Sequence, residues 1–546
     1  MDDILEICID TMQKFDGIEI VSSRIVHEYV VIDFMIQDMN FTILTSSSND
    51  STSMPFITAV DVAQSLPHFL LNELIVGDKT FKRICLYESE HYIAHLFTVE
   101  DKIEFCISQL FRLLNLTTSE IEREYQKEFL YYWNSRVKNN CRYDVYLEDE
   151  CPFGLLEIYK AKDEHMIMLH PNIVINEQYK NKWVAVKDKA AIFLKIEDIS
   201  EIIPPHSKNT WGIENILDIV DNKQLRRISY EAYKYITGES YYHKSVILVF
   251  KLNELIFGCE IRFKNKGVAK LMDKLRNNCD ELVFLDIDRC DYHHLNCQIG
   301  NDTSLAKKKV AIIGAGSLGS YIASEIVKAG VKKLLLVDGD KLEVDNILRH
   351  RSDFWGVGHP KSILIAVDLE RFHPEIRIDF KNKWLDSDNV NEVLTDEIDV
   401  VIFAGIGSDA QISCNKALTD ARYAKPVLYS WLEGDGRHGH ALGVNYSNEG
   451  CFECLFVDDK GNSAPNKLNH SSEDDVTIIR NGCGGVRVAY GNTILLKTTA
   501  LVLEVFKHVV SNNFTENFAF SVTDNTFSTI QNPFYERNCG CCNDSD

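Results

Sequence analysis

KKKVAIIGAGSLGSYIASEIVKAGVKKLLLVDGDKLEVDNILRH, residues 307–350, is the stretch on which the reading of the fold turns. Val310 to Ile313 is a short apolar run that ends in Gly314-Ala315-Gly316-Ser317-Leu318-Gly319. Leu318, Ile322, Ala323, Ile326 and Val327 then recur with the period of a helix, which Gly330 stops. A second apolar run, Leu334 to Val337, ends in Asp338. Three glycines in this spacing permit a tight turn, close approach of backbone to phosphate, and close packing of helix on strand. The helix start offers free N–H groups and the positive end of its dipole to an anion. Asp338 lies 24 residues past Gly314, where a carboxylate accepts ribose hydroxyls. The segment predicts a βαβ unit that binds a nucleotide through Gly314, Gly316, Gly319 and Asp338.

The residues after Asp338 decide which nucleotide. A dinucleotide carries two phosphates and needs little positive charge, whereas a triphosphate needs cations and a metal carboxylate. Asp338-Gly339-Asp340 is succeeded by Asn346, Arg349 and Lys361, a carboxamide, a guanidinium and an ammonium close to the ribose-binding acid. GAGSLG, VDGD, DNILRH and Lys361 together resemble the ubiquitin-activating enzymes and the bacterial ThiF/MoeB adenylating enzymes, over residues 301–546. The resemblance implies a Rossmann-like α/β fold and adenylation of a protein C-terminal carboxylate with ATP and Mg2+. It implies that Asp338 binds the ribose, with Asp340 beside it, and that Asn346, Arg349 and Lys361 bind the phosphates. The competing reading is a nicotinamide enzyme.

Residues 398–405, IDVVIFAG, predict another buried strand, ending in Gly405-Ile406-Gly407-Ser408-Asp409. Ligands of open α/β sheets bind at the carboxyl ends of strands. The adenylating family places a magnesium aspartate at this point, which implies that role for Asp409. Alone, Asp409 reads equally well as a helix N-cap. Many members carry an arginine on the next helix, where this chain has Ser413-Cys414-Asn415.

Sixteen cysteines are spread along the chain. The acidic opening MDDILEICID lacks a basic signal region, and no apolar run approaches the ~18 residues of a membrane helix, so the expectation is a cytoplasmic protein with reduced thiols. Cys451-Phe-Glu-Cys454 and Cys539-Gly-Cys541-Cys542 are pairs far apart in sequence that can close a tetrahedral thiolate Zn2+ site, the alternative being unpaired surface or core cysteines. The assigned ligands are Cys451, Cys454, Cys539 and Cys542, with Cys541 left aside. Four thiolates leave no open position, so the role is structural. Cys483 sits in Asn481-Gly482-Cys483-Gly484-Gly485 between Arg480 and Arg487. Nearby cations favour the thiolate, which is the nucleophile. In ubiquitin-type activating enzymes a cysteine beyond the first zinc pair takes the activated carboxyl as a thioester, and the resemblance gives Cys483 that place. The alternatives are a small residue in a glycine turn and, as a rival nucleophile, Cys414 in its predicted helix.

The chain has 546 residues, room for three or four domains, with 45% hydrophobic and 25% charged residues. A net charge of −23 argues against non-specific nucleic-acid binding, which needs a basic surface. Residues 1–140 open with an amphipathic stretch, Ile4 to Phe15. Strand-like runs come next at Ile18–Val21, Glu28–Met35 and Phe41–Thr45, then Leu66-Pro67-His68, then Phe81 to Glu88 around Cys85, then helical patterns at Val99–Leu114 and Ser119–Trp133. Helix, antiparallel strands, Pro-His, cysteine and helices is an order that resembles a ubiquitin-conjugating enzyme. The Pro-His to Cys gap is longer than in most such enzymes and the usual asparagine is absent. If residues 83–87 are extended, Arg83, Cys85 and Tyr87 share one face and Ile84 and Leu86 the other. Cys85 is the expected second acyl carrier; Cys8 and Cys106 read as core, and His68 as structural rather than a base.

Residues 141–300 predict an α+β connector, with strands at Trp183–Leu194, Ser245–Phe250 and Leu255–Phe263 and helices at Gln224–Ile236 and Ala269–Asn278. His293-His294 reads as a solvated pair, and Arg289 matches a region where the adenylating family supplies an arginine to its partner's ATP. The whole order, 1–140 conjugating-like, 141–300 connecting and 301–546 adenylating, resembles the fused activating–conjugating enzymes of bacterial CBASS antiphage systems. The resemblance implies that the C-terminus of a cGAS-like nucleotidyltransferase, or of a ubiquitin-like protein, is adenylated, carried on two cysteines and conjugated to a target amine. It implies a homodimer and a JAB-type peptidase as operon partner, with no nucleic-acid or membrane partner. The other readings are a sulfur-carrier adenylyltransferase, which needs no Cys85, and an ATP-binding scaffold without catalysis.

Overall fold

The structure is a computed structural model. It describes residues 2–48, 53–59, 67–76, 79–87, 93–138, 141–148, 150–163, 165–196, 202–206, 209–219, 244–264, 277, 279–471, 478–480, 486–488, 490–511, 514, 516–524, 529–531, 539 and 541. The chain divides into two units, Met1–Pro171 with Val184–Arg289, and Asn172–Trp183 with Cys290–Asp546. Among the described residues no helix is long and apolar enough to cross a membrane.

The first unit starts with helix α1 (Asp2–Gln13), whose buried Ile4, Cys8 and Met12 repeat every fourth residue and make one apolar stripe. Strands β1 (Glu19–Val26), β2 (Tyr29–Ile36), β3 (Met39–Ser46), β4 (Phe56–Ala59), β5 (Phe69–Val76) and β6 (Lys79–Ile84) form an antiparallel sheet in the order β1-β2-β3-β4-β6-β5. Helix α2 (Val99–Leu114) packs on the same face as α1, its Ile103, Cys106, Ile107 and Leu110 meeting Ile32, Phe34, Phe41, Ile43, Ile57 and Ile84. Its start is fixed by a capping box: Asp101 N–H donates to Thr98 Oγ1 at 3.1 Å and Thr98 N–H to Asp101 Oδ2 at 3.0 Å. Cys8 and Cys106 are core residues, as the periodicity predicts. The helical run predicted over Ser119–Trp133 is two helices, α3 (Thr118–Lys127) and α4 (Phe129–Asn134), which break at Glu128.

The rest of this unit is a second sheet. Its strands are β7 (Arg142–Tyr146), β8 (Phe153–Lys160), β9 (Met166–Leu169), β10 (Val184–Ala185), β11 (Lys189–Ile196), β12 (Ser245–Leu252), β13 (Leu255–Phe263) and β14 (Cys279–Arg289). The order is β10-β8-β11-β12-β13-β14-β7-β9, and an additional β8–β9 pairing closes the sheet on itself. Every residue of β12 is buried, as expected of a strand covered on both faces. One apolar cluster gathers Tyr143, Val145, Phe193, Val249 and Leu285; the other takes in Phe129 and Trp133 of α4 against Phe257. Residues 224–236 and all but residue 277 of 269–278 lie outside the described residues, so the two predicted helices there do too.

In the second unit β15 (Lys309–Ile313), β16 (Lys333–Val337), β17 (Arg377–Lys381), β18 (Val400–Ala404) and β19 (Val427–Leu432) are parallel, in the order β17-β16-β15-β18-β19. β20 (His438–Val444), β23 (Phe518–Thr523) and β24 (Thr529–Gln531) extend the sheet antiparallel, and β21 (Ile478–Arg480) with β22 (Val486–Val488) makes a separate ribbon. Helices Ser317–Lys328, Lys361–Glu370 and Asn492–Ser511 cover one face, and Ser408–Asp420 the other. From β15 the chain steps to one side through β16 and β17, then returns to β18 on the other. That reversal opens a crevice at the carboxyl ends of β15 and β18, where ligands of open α/β sheets bind. The Rossmann-like α/β fold read for this part is the one observed.

Candidate functional site

The crevice is built by glycine. Gly314 has φ +95°, and a Cβ there would lie 2.8 Å from Ala404 O, so the turn closes directly on β18. A Cβ on Gly319 would lie 1.8 Å from Gly314 O, which is how closely the helix Ser317–Lys328 sits on the turn. Gly316, the residue at the helix cap, faces open space: a Cβ there would meet nothing within 4 Å. A helix start beside open space, with no side chain at Gly316 to fill it, is the kind of place where a phosphate can be cradled.

Asp338, at the end of β16, is stapled to this turn. Its Oδ2 accepts from Ala315 N–H at 2.6 Å and its Oδ1 from Asp340 N–H at 2.7 Å. Burial pushes its carboxyl above the usual range, against the pull of those two N–H bonds. Lys361, 8% exposed, donates to Asp340 Oδ2 at 2.9 Å. Asn346 Oδ1 accepts from Glu343 N–H at 3.1 Å, so in this state it shapes its own short helix. Arg349 stacks its guanidinium 5.2 Å from the Tyr490 ring centre, and the Tyr490 hydroxyl bonds Ser317 Oγ at the helix start. A cation is thereby tied to the cradle through an aromatic ring. Asp409 is exposed in the first turn of Ser408–Asp420; the cap position there belongs to Gly407.

Two residues the sequence reading passed over hold this site. His350 is 4% exposed; its Nε2 bonds Ala315 O at 2.7 Å and its Nδ1 accepts from Ser352 N–H at 3.0 Å. Burial drives its pKa down to about 4, so the ring is neutral and its Nε2–H braces the glycine turn. Tyr490 is the other. The signal for His350 was its place at the end of DNILRH; Tyr490 lies 173 residues from Ser317 and carried none.

Cys451, Cys454 and Cys539 converge in the same unit, with sulfur separations of 3.9, 3.8 and 3.5 Å, all three buried. A tetrahedral zinc with bonds of about 2.3 Å places its thiolates about 3.8 Å apart, so the three fit such an ion. Cys542 lies outside the described residues. Cys541 is buried beside them and its thiol donates to Glu453 Oε2 at 2.7 Å. Asn415 explains its helix: Nδ2 donates to Cys451 Sγ at 3.4 Å and Cys541 Sγ at 3.7 Å, while Oδ1 accepts from Phe452 N–H at 3.1 Å. This helix thereby reaches the thiol cluster through Asn415. Cys414 is fully buried and its thiol is pushed up to about 12 by burial, as in a packing residue. Cys483 lies outside the described residues, between the paired strands β21 and β22.

In the first unit, the long gap between Pro67-His68 and Cys85 is the hairpin β5–β6. It returns the chain to its start: Cys85 N–H donates to His68 O at 2.7 Å, and Phe69 pairs with Ile84. Cys85, half-buried, lines a cleft of about 200 Å³ with His68, Tyr87, Gln109, Glu124 and Glu128. Its thiol faces Tyr87 O at 3.8 Å. Arg83 donates to Tyr87 Oη at 3.2 Å and Ile84 is buried, but β6 ends at Ile84 and Leu86 lines the same cleft as Cys85, so the expected alternation over residues 83–87 does not hold for Leu86. His68 adopts φ +71° and bonds Glu128 through Nδ1 at 2.8 Å and Glu124 through Nε2 at 3.0 Å. Burial opposes its charge, but the bonds and charges of Glu128 and Glu124 outweigh it and its pKa is raised. A ring with both nitrogens committed to carboxylates is no general base. Arg289, 7% exposed, ends strand β14.

Residues 298–542 match the ThiF family. The chain is 24% identical over 387 residues to the ATP-dependent ubiquitin transferase-like protein Cap2 of Pseudomonas aeruginosa, covering 67% of this chain and 68% of the relative. It is 23% identical over 247 residues to ubiquitin-like modifier-activating enzyme 5 of Bombyx mori, 42% of this chain and 58% of that one. It is 27% identical over 179 residues to the sulfur carrier protein adenylyltransferase of Thermus thermophilus, 31% of this chain and 64% of that one.

Proposed function

With residues 298–542 forming a ThiF family domain, we propose that this chain uses ATP and Mg2+ to activate the C-terminal carboxylate of a protein and conjugates it to a target amine. The observation that carries the reading is the side-chain-free cradle at Gly316 with Asp338 stapled to it. Mg2+, held by Asp409, would supply charge neutralisation on the phosphates. The cradle N–H groups, Arg349 and Lys361 hold the triphosphate. A carboxylate oxygen of the acceptor protein attacks the α-phosphorus, the bond to pyrophosphate breaks, and an acyl adenylate remains.

The Cys483 thiolate then attacks the acyl carbon and AMP leaves with the C–O bond electrons. Exchange with the Cys85 thiolate moves the acyl group to the first unit and frees Cys483. An amine of the target attacks that thioester, loses a proton, forms the amide and releases Cys85. Support for the second half is the Cap2 relative, which is a ubiquitin transferase-like protein. A second support is the helix–sheet–helix order of residues 1–140, with Pro67-His68 against Cys85. On this reading residues 1–140 are a conjugating domain and 141–300 a connector. Cys451, Cys454, Cys539 and Cys542 hold a structural Zn2+. The substrate is a cGAS-like nucleotidyltransferase or ubiquitin-like protein in CBASS defence, with a JAB-type peptidase beside it. The protein works as a cytoplasmic homodimer.

Calorimetric titration with ATP-Mg and with NADH tests the first half. ATP binds and NADH does not, and Asp409→Ala abolishes pyrophosphate exchange in the presence of the acceptor protein. Tight NADH binding without ATP binding overturns it. The Thermus thermophilus relative favours a second reading, adenylation of a sulfur carrier, in which Cys85 has no part.

A further inference from the structure

Glu433, at the end of the β19–β20 connection's first arm, is 2% exposed. Its carboxylate is oriented from one side by the chain just ahead of residue 472. Oε2 accepts from His470 N–H at 3.0 Å, from Ser471 N–H at 2.8 Å and from Ser471 Oγ at 2.6 Å. Oε1 shares the His470 N–H, at 2.9 Å, and faces two imidazoles, His440 Nε2 at 2.6 Å and His470 Nδ1 at 3.4 Å. These three ligand atoms lie within 4.8 Å of one another. His440 is fully buried, stacked on Trp431 with ring centres 4.9 Å apart, and its Nδ1 bonds Ser521 Oγ at 2.8 Å. His470 is 44% exposed at its side chain and stacks on His438. None of these groups takes part in the proposed adenylation or acyl transfer.

We propose that Glu433, His440 and His470 form a second metal site, for a zinc-class divalent ion, separate from the cysteine cluster.

Two imidazoles and one carboxylate are a nitrogen–oxygen set suited to Zn2+ and Co2+, and three protein ligands leave a fourth position for water. That position opens on the exposed side of His470. With metal bonds of about 2.0–2.1 Å, tetrahedral ligand atoms stand about 3.3 Å apart. The His470–Glu433 separation already has that value, and the His440–Glu433 pair widens by roughly 0.7 Å to admit the ion. The shell around the ligands is in place. Oε2 keeps its three donors while Oε1 turns to the metal. Ser521 serves His440 in either tautomer, because a hydroxyl both donates and accepts. Loading moves the single ring proton of His440 from Nε2, which takes the metal, to Nδ1, and Nδ1–H then donates to Ser521 Oγ, the orientation that metal-bound histidines favour. Burial works against the Glu433 charge, but the bonds from His440, Ser471 and the two N–H groups hold its carboxyl far below the usual range, ready as a ligand. Asp435 and His438 bond each other at 2.6 Å and are left outside the ligand set.

Zinc at saturation, measured per chain by elemental analysis after removal of free metal, tests this on the full-length protein. Wild type holds two ions. His470→Ala, an exposed change, holds one; Cys451→Ser also holds one; His438→Ala holds two. Cobalt added to protein already loaded at its thiols gives weak visible bands without thiolate-to-metal absorption in the near ultraviolet. Wild type saturating at a single zinc that Cys451→Ser loses, His470→Ala holding as much as wild type, or thiolate absorption from the added cobalt each overturn the proposal. Because stoichiometry is read without acceptor or ATP, failure of the adenylation reading leaves this result standing.

Discussion

Lowering the pH should loosen the nucleotide cradle through His350. Free histidine titrates near 6.5, whereas burial holds His350 near 4. The folded state therefore resists a proton that the opened chain accepts. The stability this ring contributes is full above pH 6.5 and falls as the pH drops toward 4. The linkage relation gives a loss of about 2 kcal/mol by pH 5, a roughly thirtyfold rise in the open population, and roughly 3 kcal/mol by pH 4. The charged ring would also leave Ser352 N–H facing a donor instead of the acceptor Nδ1. Hydrogen-exchange mass spectrometry of peptides spanning residues 314–325 reads this locally. Protection, corrected for intrinsic exchange rates, should fall by about thirtyfold between pH 7.5 and 5. His350→Gln keeps an N–H donor for Ala315 O but cannot titrate, so its protection should be lower at pH 7.5 and nearly level across the range. An equal pH dependence in wild type and His350→Gln would refute the assignment of the slope to this ring.

Cys451→Ser should lose one bound zinc and lower the melting temperature by about 10 °C, the shift expected for a loss of about 3–5 kcal/mol in a unit of this size; unchanged metal content and stability would remove the thiol site. Cys483→Ala should keep ATP–pyrophosphate exchange and lose the reducible thioester, because thiol attack comes after adenylation; on denaturing gels the adduct would be absent while exchange continues. Cys85→Ala should leave exchange and the first thioester intact, block amide formation, and move the melting temperature by no more than about 2 °C, since its half-buried thiol fills little of the core. Amide conjugates formed at the wild-type rate would put the sulfur-carrier reading ahead.

The half that matches the ThiF family was legible because its turn, its open hollow and its packing share residues. Gly314, Gly316 and Gly319 are at once the turn, the cradle and the packing contact, so a local pattern reports a tertiary site. Cys451 with Cys454 carried half of the thiol cluster in one short motif. His350, Tyr490 and Asn415 act through partners brought near only by folding, and a single histidine, tyrosine or asparagine has no local signature for that. Strand β14 went unread because Asp280, Glu281, Asp286 and Asp288 make the segment look polar, although Val283, Leu285 and Ile287 alternate inward. Residues 172–183 belong to the second unit, anchored by Asn176 N–H to Pro374 O at 2.8 Å and Tyr179 Oη to Arg371 O at 2.7 Å. No composition change marks either crossing point.

The hairpin β5–β6 shows why sequence distance misleads at the cysteine cleft. Sixteen residues separate His68 from Cys85, yet the hairpin's two ends are paired and the backbones of His68 and Cys85 share a hydrogen bond. An insertion whose ends meet adds length without moving what flanks it, and loop closure is served by its own strand pairing. The left-handed backbone of His68 is strained for most residues but is one that histidine visits more readily than a β-branched residue. Tyr132, whose hydroxyl accepts His68 N–H at 2.7 Å, and the two glutamates hold it there from α3, α4 and the break between them. Glu124 and Glu128 are one helical turn apart, which lets them reach the two nitrogens of one ring. His68, locked between carboxylates, bonds Cys85 through its backbone, so the geometry around Cys85 depends on α3 and α4 as much as on β6, which ends one residue before it.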